Sequence, residues 1–207
     1  MKTDLYTLIH KVQRQRLFEL SIRIGKTDFS EQSEGIIVKN ELKMMIIHLR
    51  KHAADEETFI HPLYCIANDK LTALETQHEK IDELLAEIEN IINDKQSTCF
   101  LYGYFNQFIA MYLQHTAEEE RLQQEILWKF YSEEELSAVM TSYRASLSTE
   151  KVLDNLQFML PCLSVGETIN ILKNMAPAIS QQLFQRAPSL LQDAFASHEL
   201  AMIRAAL

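Results

Sequence analysis

The sequence predicts an all-α protein: an antiparallel up-down four-helix bundle followed by a C-terminal helical extension. Three observations carry this prediction. Apolar residues recur at three- and four-residue spacing through almost the whole chain, and strict alternation is nearly absent. Gly and Pro occur only four times each in 207 residues, which leaves few tight turns. The apolar fraction of 47% is ordinary for a packed globular chain and argues against disorder.

The periodicity predicts long helices over 3–25, 38–66, 69–94 and 98–130. A polar stretch from Gly25 to Gly35 joins the first two. Asn68 and Asp69 suit an N-cap for the third helix, and Ser97 or Thr98 one for the fourth. Four long helices with short connections make an antiparallel bundle over 1–131. The extension, 132–207, opens on a capping-box pattern, Ser132 with Glu135, and repeats it at Ser164 with Glu167. Pro161, Pro177 and Pro188 punctuate short helices expected at 133–147, 150–160, 165–175 and 178–204. No chemical motif lies in this extension. Its amphipathic helices cover one side of the bundle, form a homodimer contact or dock a signalling partner, and the sequence leaves these three open.

The formal net charge of -9 disfavours phosphate backbones and anionic lipid, so neither nucleic acid nor a membrane surface is an expected partner. No uninterrupted apolar run approaches the roughly 18 residues of a membrane span. Met1, Lys2, Thr3 and Asp4 lead into an amphipathic helix without an apolar signal core, which gives a cytoplasmic expectation. Cys65, Cys99 and Cys162 are odd in number, widely spaced and form no CxxC, so buried free thiols are expected rather than disulfides.

Ionisable residues interrupt the apolar stripes. The fourth helix reads Leu101, Phe105, Phe108, Tyr112, His115, Glu119, Leu122, Ile126 along one face. The second reads Leu42, Met45, Leu49, His52, Glu56, Phe59, Leu63; the third Leu71, Leu74, His78, Ile81, Leu85, Ile88; the first Tyr6, His10, Gln13, Leu17, Leu20, Ile24. Burying so many ionisable groups without partners would cost several kcal/mol for each charge. A shared cation compensates, and imidazole with carboxylate suits iron, manganese or zinc. The i, i+4 spacing lets both members of His52–Glu56 and of His115–Glu119 reach one site. Counted from the interhelical connections, the six residues agree in depth to within about two helical turns.

At these residues the sequence resembles the hemerythrin-like, or HHE cation-binding, domain family, over roughly residues 5–130. The resemblance rests on a lone His10 in the first helix, the HxxxE segment His52–Glu56 followed by Phe59–Pro62, the single His78, and a second HxxxE at His115–Glu119. It implies two irons (Fe2+/Fe3+) bridged by Glu56, Glu119 and a solvent oxygen, with His10 and His52 on one and His78 and His115 on the other. It also implies that the reduced centre binds or reacts with dioxygen, and that relatives carry, store or sense oxygen, sense iron, or respond to nitric oxide and peroxide. The oxygen carriers have a fifth histidine one turn from the position of His78, where this chain offers Leu74 or Asp82. Asp82 sits about 40° from His78 on a helical wheel, placing it as a further ligand or hydrogen-bond partner. Fewer imidazoles favour sensing, redox or detoxifying chemistry over reversible carriage.

The remaining candidates are weaker. His48 lies one turn before His52, as an added ligand, an outer hydrogen-bond donor or a half-exposed residue. His61 follows His52 by nine residues, about 180° around a continuous helix, and is expected to face away from the site. His198 is expected on the surface, and Glu57, Glu118 and Glu120 on solvated faces. The ExxH of Glu75–His78 matches ferritin-like di-iron bundles, but that arrangement needs two such motifs and only one is present. Three functional classes stand. The first is a di-iron protein binding dioxygen or a related small oxidant, as a sensor or stress-response protein. The second is a peroxidase-like or nitric-oxide-removing enzyme. The third is a metal-free interaction module with a buried polar network.

Overall fold

The computed structural model describes residues 2–67, 71–94, 98–175, 191–192 and 194–206. Among them there is no strand. Asn68, Asp69 and Ser97, expected as N-caps, and much of the helix expected over 178–204 lie outside the described residues. Two compact units are present, Met1–Tyr143 and Arg144–Leu207.

The first unit contains α1 (Thr7–Lys26), α2 (Gln32–Phe59), the short α3 (His61–Ala67), α4 (Leu71–Asn93) and α5 (Leu101–Leu122), the last entered through a 3-10 turn at Thr98–Phe100. α1 packs on α2 and α5, and α4 packs on α2 and α5, which closes the antiparallel four-helix ring. The apolar stripes turn inward as the periodicity requires. Leu17, Leu20 and Ile24 of α1 are buried, as are Val38, Leu42, Met45 and Leu49 of α2, Leu74, Ile81, Leu85 and Ile88 of α4, and Leu101, Phe105 and Phe108 of α5. Each such side chain contributes roughly 1.5–3 kcal/mol on leaving water.

Polar ties fix the register. Tyr112 donates to Gln13 Oε1 at 2.8 Å, Ser21 to Asn106 Oδ1 at 2.9 Å, and Arg14 to Thr116 Oγ1 at 2.8 Å, all between α1 and α5. Arg50 on α2 reaches Asp82 at 2.7 Å and Glu89 at 2.8 Å on α4.

Two interruptions depart from the expected continuous helices. The helix expected over 38–66 begins earlier, at Gln32, and breaks at Ile60. Pro62 lacks an N–H and its ring opposes the carbonyl four residues back, so the chain restarts with His61 and Pro62 in a new first turn. The helix expected over 98–130 opens into a π-turn at Gln123–Leu127 before α6 (Trp128–Phe130). This turns Gln123 and Leu127 inward, while Ile126 is only partly buried.

Gln123 uses that orientation to hold the chain ahead of α1. Its Oε1 accepts from Leu5 N at 2.7 Å, and its Nε2 donates to Asp4 Oδ1 at 3.1 Å. Asp4 Oδ1 also accepts from Tyr6 N at 3.0 Å and Thr7 N at 2.9 Å, so Asp4 caps α1. Trp128 Nε1 donates to Thr3 O at 3.0 Å, and Glu133 accepts from the Thr3 backbone and hydroxyl.

α7 (Glu133–Ser146) starts with the expected capping box: Ser132 N donates to Glu135 at 2.7 Å and Glu135 N to Ser132 Oγ at 3.2 Å. Leu136 packs with Leu5, Tyr6, Ile60, Tyr64, Leu74, Leu122 and Leu127. The boundary between the units falls inside α7.

The second unit holds α8 (Thr149–Met159), α9 (Val165–Lys173) and α10 (Ser197–Ala206), with α9 on α10. Ser148 caps α8, and Ser164 with Glu167 forms the expected capping box on α9. Leu156, Leu160, Leu172, Leu191, Phe195 and Ile203 are buried there. His198 is exposed, as expected. No disulfide joins the three cysteines, but Cys65 and Cys99 are exposed and only Cys162 is buried, because Cys65 and Cys99 fall outside the apolar stripes.

Candidate metal centre

α1, α2, α4 and α5 each deliver an imidazole to the same level of the bundle, and α2 and α5 each add a carboxylate. His10 and Glu119 are fully buried, Glu56 and His115 nearly so, and His78 is 8% and His52 14% exposed. His10 Nε2 lies 3.3 Å from Glu119 Oε2 and 3.6 Å from Glu56 Oε1. His52 Nε2 is 2.9 Å from Glu56 Oε1. His78 Nε2 is 3.6 Å from both Glu56 Oε2 and Glu119 Oε1, and His115 Nε2 is 3.2 Å from Glu119 Oε1. The Nε2 atoms of His78 and His115 are 3.0 Å apart.

These donors fall into two overlapping groups, each with its ligand atoms within 4.8 Å of one another. One is Glu56, His78, His115 and Glu119; the other is His10, His52 and Glu56. Glu56 belongs to both, and Glu119 reaches across to His10.

The outward imidazole nitrogens are tied elsewhere. His10 Nδ1 donates to Glu120 Oε1 at 3.0 Å, and the same oxygen is 3.0 Å from Arg14 Nη1. His115 Nδ1 donates to Gln77 Oε1 at 2.9 Å, and His78 Nδ1 to Glu57 Oε1 at 3.4 Å. With Nδ1 directed outward, Nε2 is the nitrogen left facing the other donors, the orientation that a metal-binding imidazole requires. Glu120, Glu57 and Gln77 were not legible as partners: charge-rich context suggested solvated faces for the two glutamates, and nothing singled out Gln77.

The electrostatics describe the same cluster. Burial opposes ionisation of Glu119, yet the close imidazoles of His10, His115 and His78 outweigh it and hold the carboxyl well below its usual range. Glu56 is also lowered, with burial and the Glu119 charge opposing His52 and His10. Burial works against a charged His10, but Glu119, Glu120 and Glu56 raise it well above an ordinary histidine. His78 is raised for the same reason. Two carboxylates stay ionised in a water-poor core, with positive charge drawn in to balance them.

Close approach does not amount to satisfaction. His10 Nε2, His52 Nε2 and all four carboxylate oxygens of Glu56 and Glu119 are buried without a partner in hydrogen-bonding geometry. Native interiors leave few such atoms, and here six point at one place. A cation fits that donor set, whose imidazole and carboxylate groups suit first-row transition metals.

The other sequence candidates stand apart. Asp82 is 65% exposed and engaged by Arg50, on the outer side of α4. Leu74 is buried in the apolar cluster around Tyr6 and Tyr64. His48 is half-buried and lies in neither donor group. His61 departs from expectation. It is buried and its ring stacks on His78, with centroids 5.1 Å apart and planes 27° from parallel. The break at Ile60 re-aims it, which a continuous helical wheel could not show.

Four helices, four inward imidazoles and two shared carboxylates define a metal-binding helical bundle. The family model of the hemerythrin HHE cation-binding domain matches residues 1–127, and the chain belongs to that family. No curated protein and no solved structure matches the chain. No described helix is long and apolar enough to cross a membrane.

Proposed function

We propose that the protein holds two iron ions between α1, α2, α4 and α5 and uses them to bind dioxygen or a related small oxidant, as a sensor or redox protein. The observation that supports this most strongly is the sharing of Glu56 between the two donor groups. One carboxylate with an oxygen facing each group suits a bridge between two ions. Glu119, 3.2 Å from His115 and 3.3 Å from His10, suits a second. In this reading His10 and His52 serve one ion, and His78 and His115 the other.

The two irons, when bound, supply reversible one-electron chemistry and an open position for a small ligand. The protein's residues prepare for this. Glu120, Gln77 and Glu57 keep the imidazoles in the metal-binding orientation. Leu74, Leu122 and Leu127 add apolar packing around Tyr6 and Tyr64. Four imidazoles with two shared carboxylates, and neither Leu74 nor Asp82 within the donor groups, favour sensing or redox use over reversible carriage. The acidic composition and the cysteine thiols suit a cytoplasmic setting.

Metal analysis of protein loaded anaerobically with ferrous iron should give about two irons per chain. Admission of air should then produce near-ultraviolet charge-transfer absorption. Iron bound at full stoichiometry after His52→Ala and His115→Ala are combined would defeat the assignment.

A further inference from the structure

Among the described residues of the first unit, every buried side-chain atom without a hydrogen-bond partner lies at or beside the metal centre. Six belong to the donor set above. Three do not: the Tyr6 hydroxyl, the Tyr64 hydroxyl and His61 Nε2. Two ions held by His10, His52, Glu56, His78, His115 and Glu119 would satisfy the six and leave the three as they are.

The three share one side of the centre. His61 stacks on His78, and Tyr64 follows it by one turn on the same side of α3. Tyr6 lies against His10, with ring centroids 5.3 Å apart. The two tyrosine hydroxyls are near enough to interact with each other, although neither makes a hydrogen bond of full geometry. All three groups feel the charges of Glu56 and Glu119. Leu5, Ile60, Leu74, Leu122 and Leu127 surround them with apolar side chains. A polar trio left unpaired inside an apolar wall is costly unless something occupies it.

We propose that Tyr6, His61 and Tyr64 form a hydrogen-bonding cap that receives a small anionic or oxygen-rich ligand of two or three atoms at the metal centre. The ligand is small because the cap is shielded from solvent: Tyr6 and Tyr64 are each 1% exposed and His61 4%. The cap distinguishes ligands that accept hydrogen bonds from apolar diatomics of similar size. It is carried largely by α3, and the helix break at Pro62 is what brings that helix over the site. This inference rests on the metal-binding reading above.

The test is azide binding to the iron-loaded, oxidised full-length chain, followed by charge-transfer absorption and by the azide infrared stretch. Tyr6→Phe, Tyr64→Phe and His61→Phe each keep a ring and remove the hydrogen-bonding atom. Each should retain two irons and the wild-type melting curve, weaken azide roughly tenfold, and shift the stretch. His61→Gln, which restores a donor, should recover most of the affinity. Unchanged azide affinity and stretch in all three aromatic variants would overturn the cap while leaving the di-iron reading intact. Loss of iron from a folded His61→Phe variant would also overturn it, by making His61 a metal ligand. Wild-type protein that takes up no iron would instead sink the underlying metal reading, and the cap with it.

Discussion

Glu120 holds His10 from outside the metal centre, with its Oε1 3.0 Å from His10 Nδ1 and the same distance from the Arg14 guanidinium. The contact fixes an imidazole that, like His78, reaches both carboxylates. Replacing Glu120 by Ala should therefore loosen metal binding without removing a ligand. A loss of roughly 10- to 100-fold in affinity is expected, from the general cost of deleting an outer partner of a ligating histidine. Competition against a chromophoric chelator measures it, and an unchanged affinity would show that packing alone orients the ring.

Removing the metals should lower the melting temperature. Ions that bind only the folded chain add about 2.7 kcal/mol when free metal is a hundred times its dissociation constant. For a chain of this length that corresponds to roughly 5–11 °C. Calorimetry of the loaded protein with and without chelator checks it. Equal melting temperatures would mean that no ion was bound.

Asp4 gives a prediction in pH. Burial opposes its ionisation, but hydrogen bonds from Thr7, Tyr6 and Gln123 prevail and hold the carboxyl below its ordinary value of 3.8. A carboxyl lowered on folding stabilises the protein above its unfolded pKa, and the contribution disappears as pH falls through the folded value. Asp4→Ala should cost about 1 kcal/mol near neutrality, the usual size of a lost helix cap. Against wild type, the difference should shrink below about pH 4. Denaturant melts at neutral and acid pH decide this, and a pH-independent difference would contradict it.

The core should respond separately from the site. Phe108 is fully buried and packs against Phe105 and Tyr112 within α5. Phe108→Ala should lower stability by about 3–5 kcal/mol through lost burial and a residual cavity. Metal stoichiometry should persist wherever the variant remains folded. Urea unfolding followed by circular dichroism gives the first quantity and metal analysis the second.

The bundle was readable because its signal is local. A run such as Leu101, Phe105, Phe108, Tyr112 sets a helix and its buried face with no knowledge of neighbours, and His115 and Glu119 inherit that face. The same reasoning failed where the helix was not continuous. Pro62 re-aimed His61, and the π-turn after Leu122 moved the inward positions to Gln123 and Leu127. The outer partners were missed for another reason. Whether Glu120 meets His10, or Gln77 meets His115, depends on how two helices are set side by side, which no single stripe records. The two exposed cysteines show the converse: residue type alone suggested burial, and position on the helix decided otherwise.

The stitching of Thr3, Asp4 and Leu5 to Gln123, Trp128 and Glu133 has a consequence for the first helix. These bonds pin the segment that carries Tyr6 onto the ring of His10, yet none of the three stitched residues is itself a donor to the centre. Cutting one of these ties should therefore displace the Tyr6 ring from His10 before it disturbs any donor of the centre.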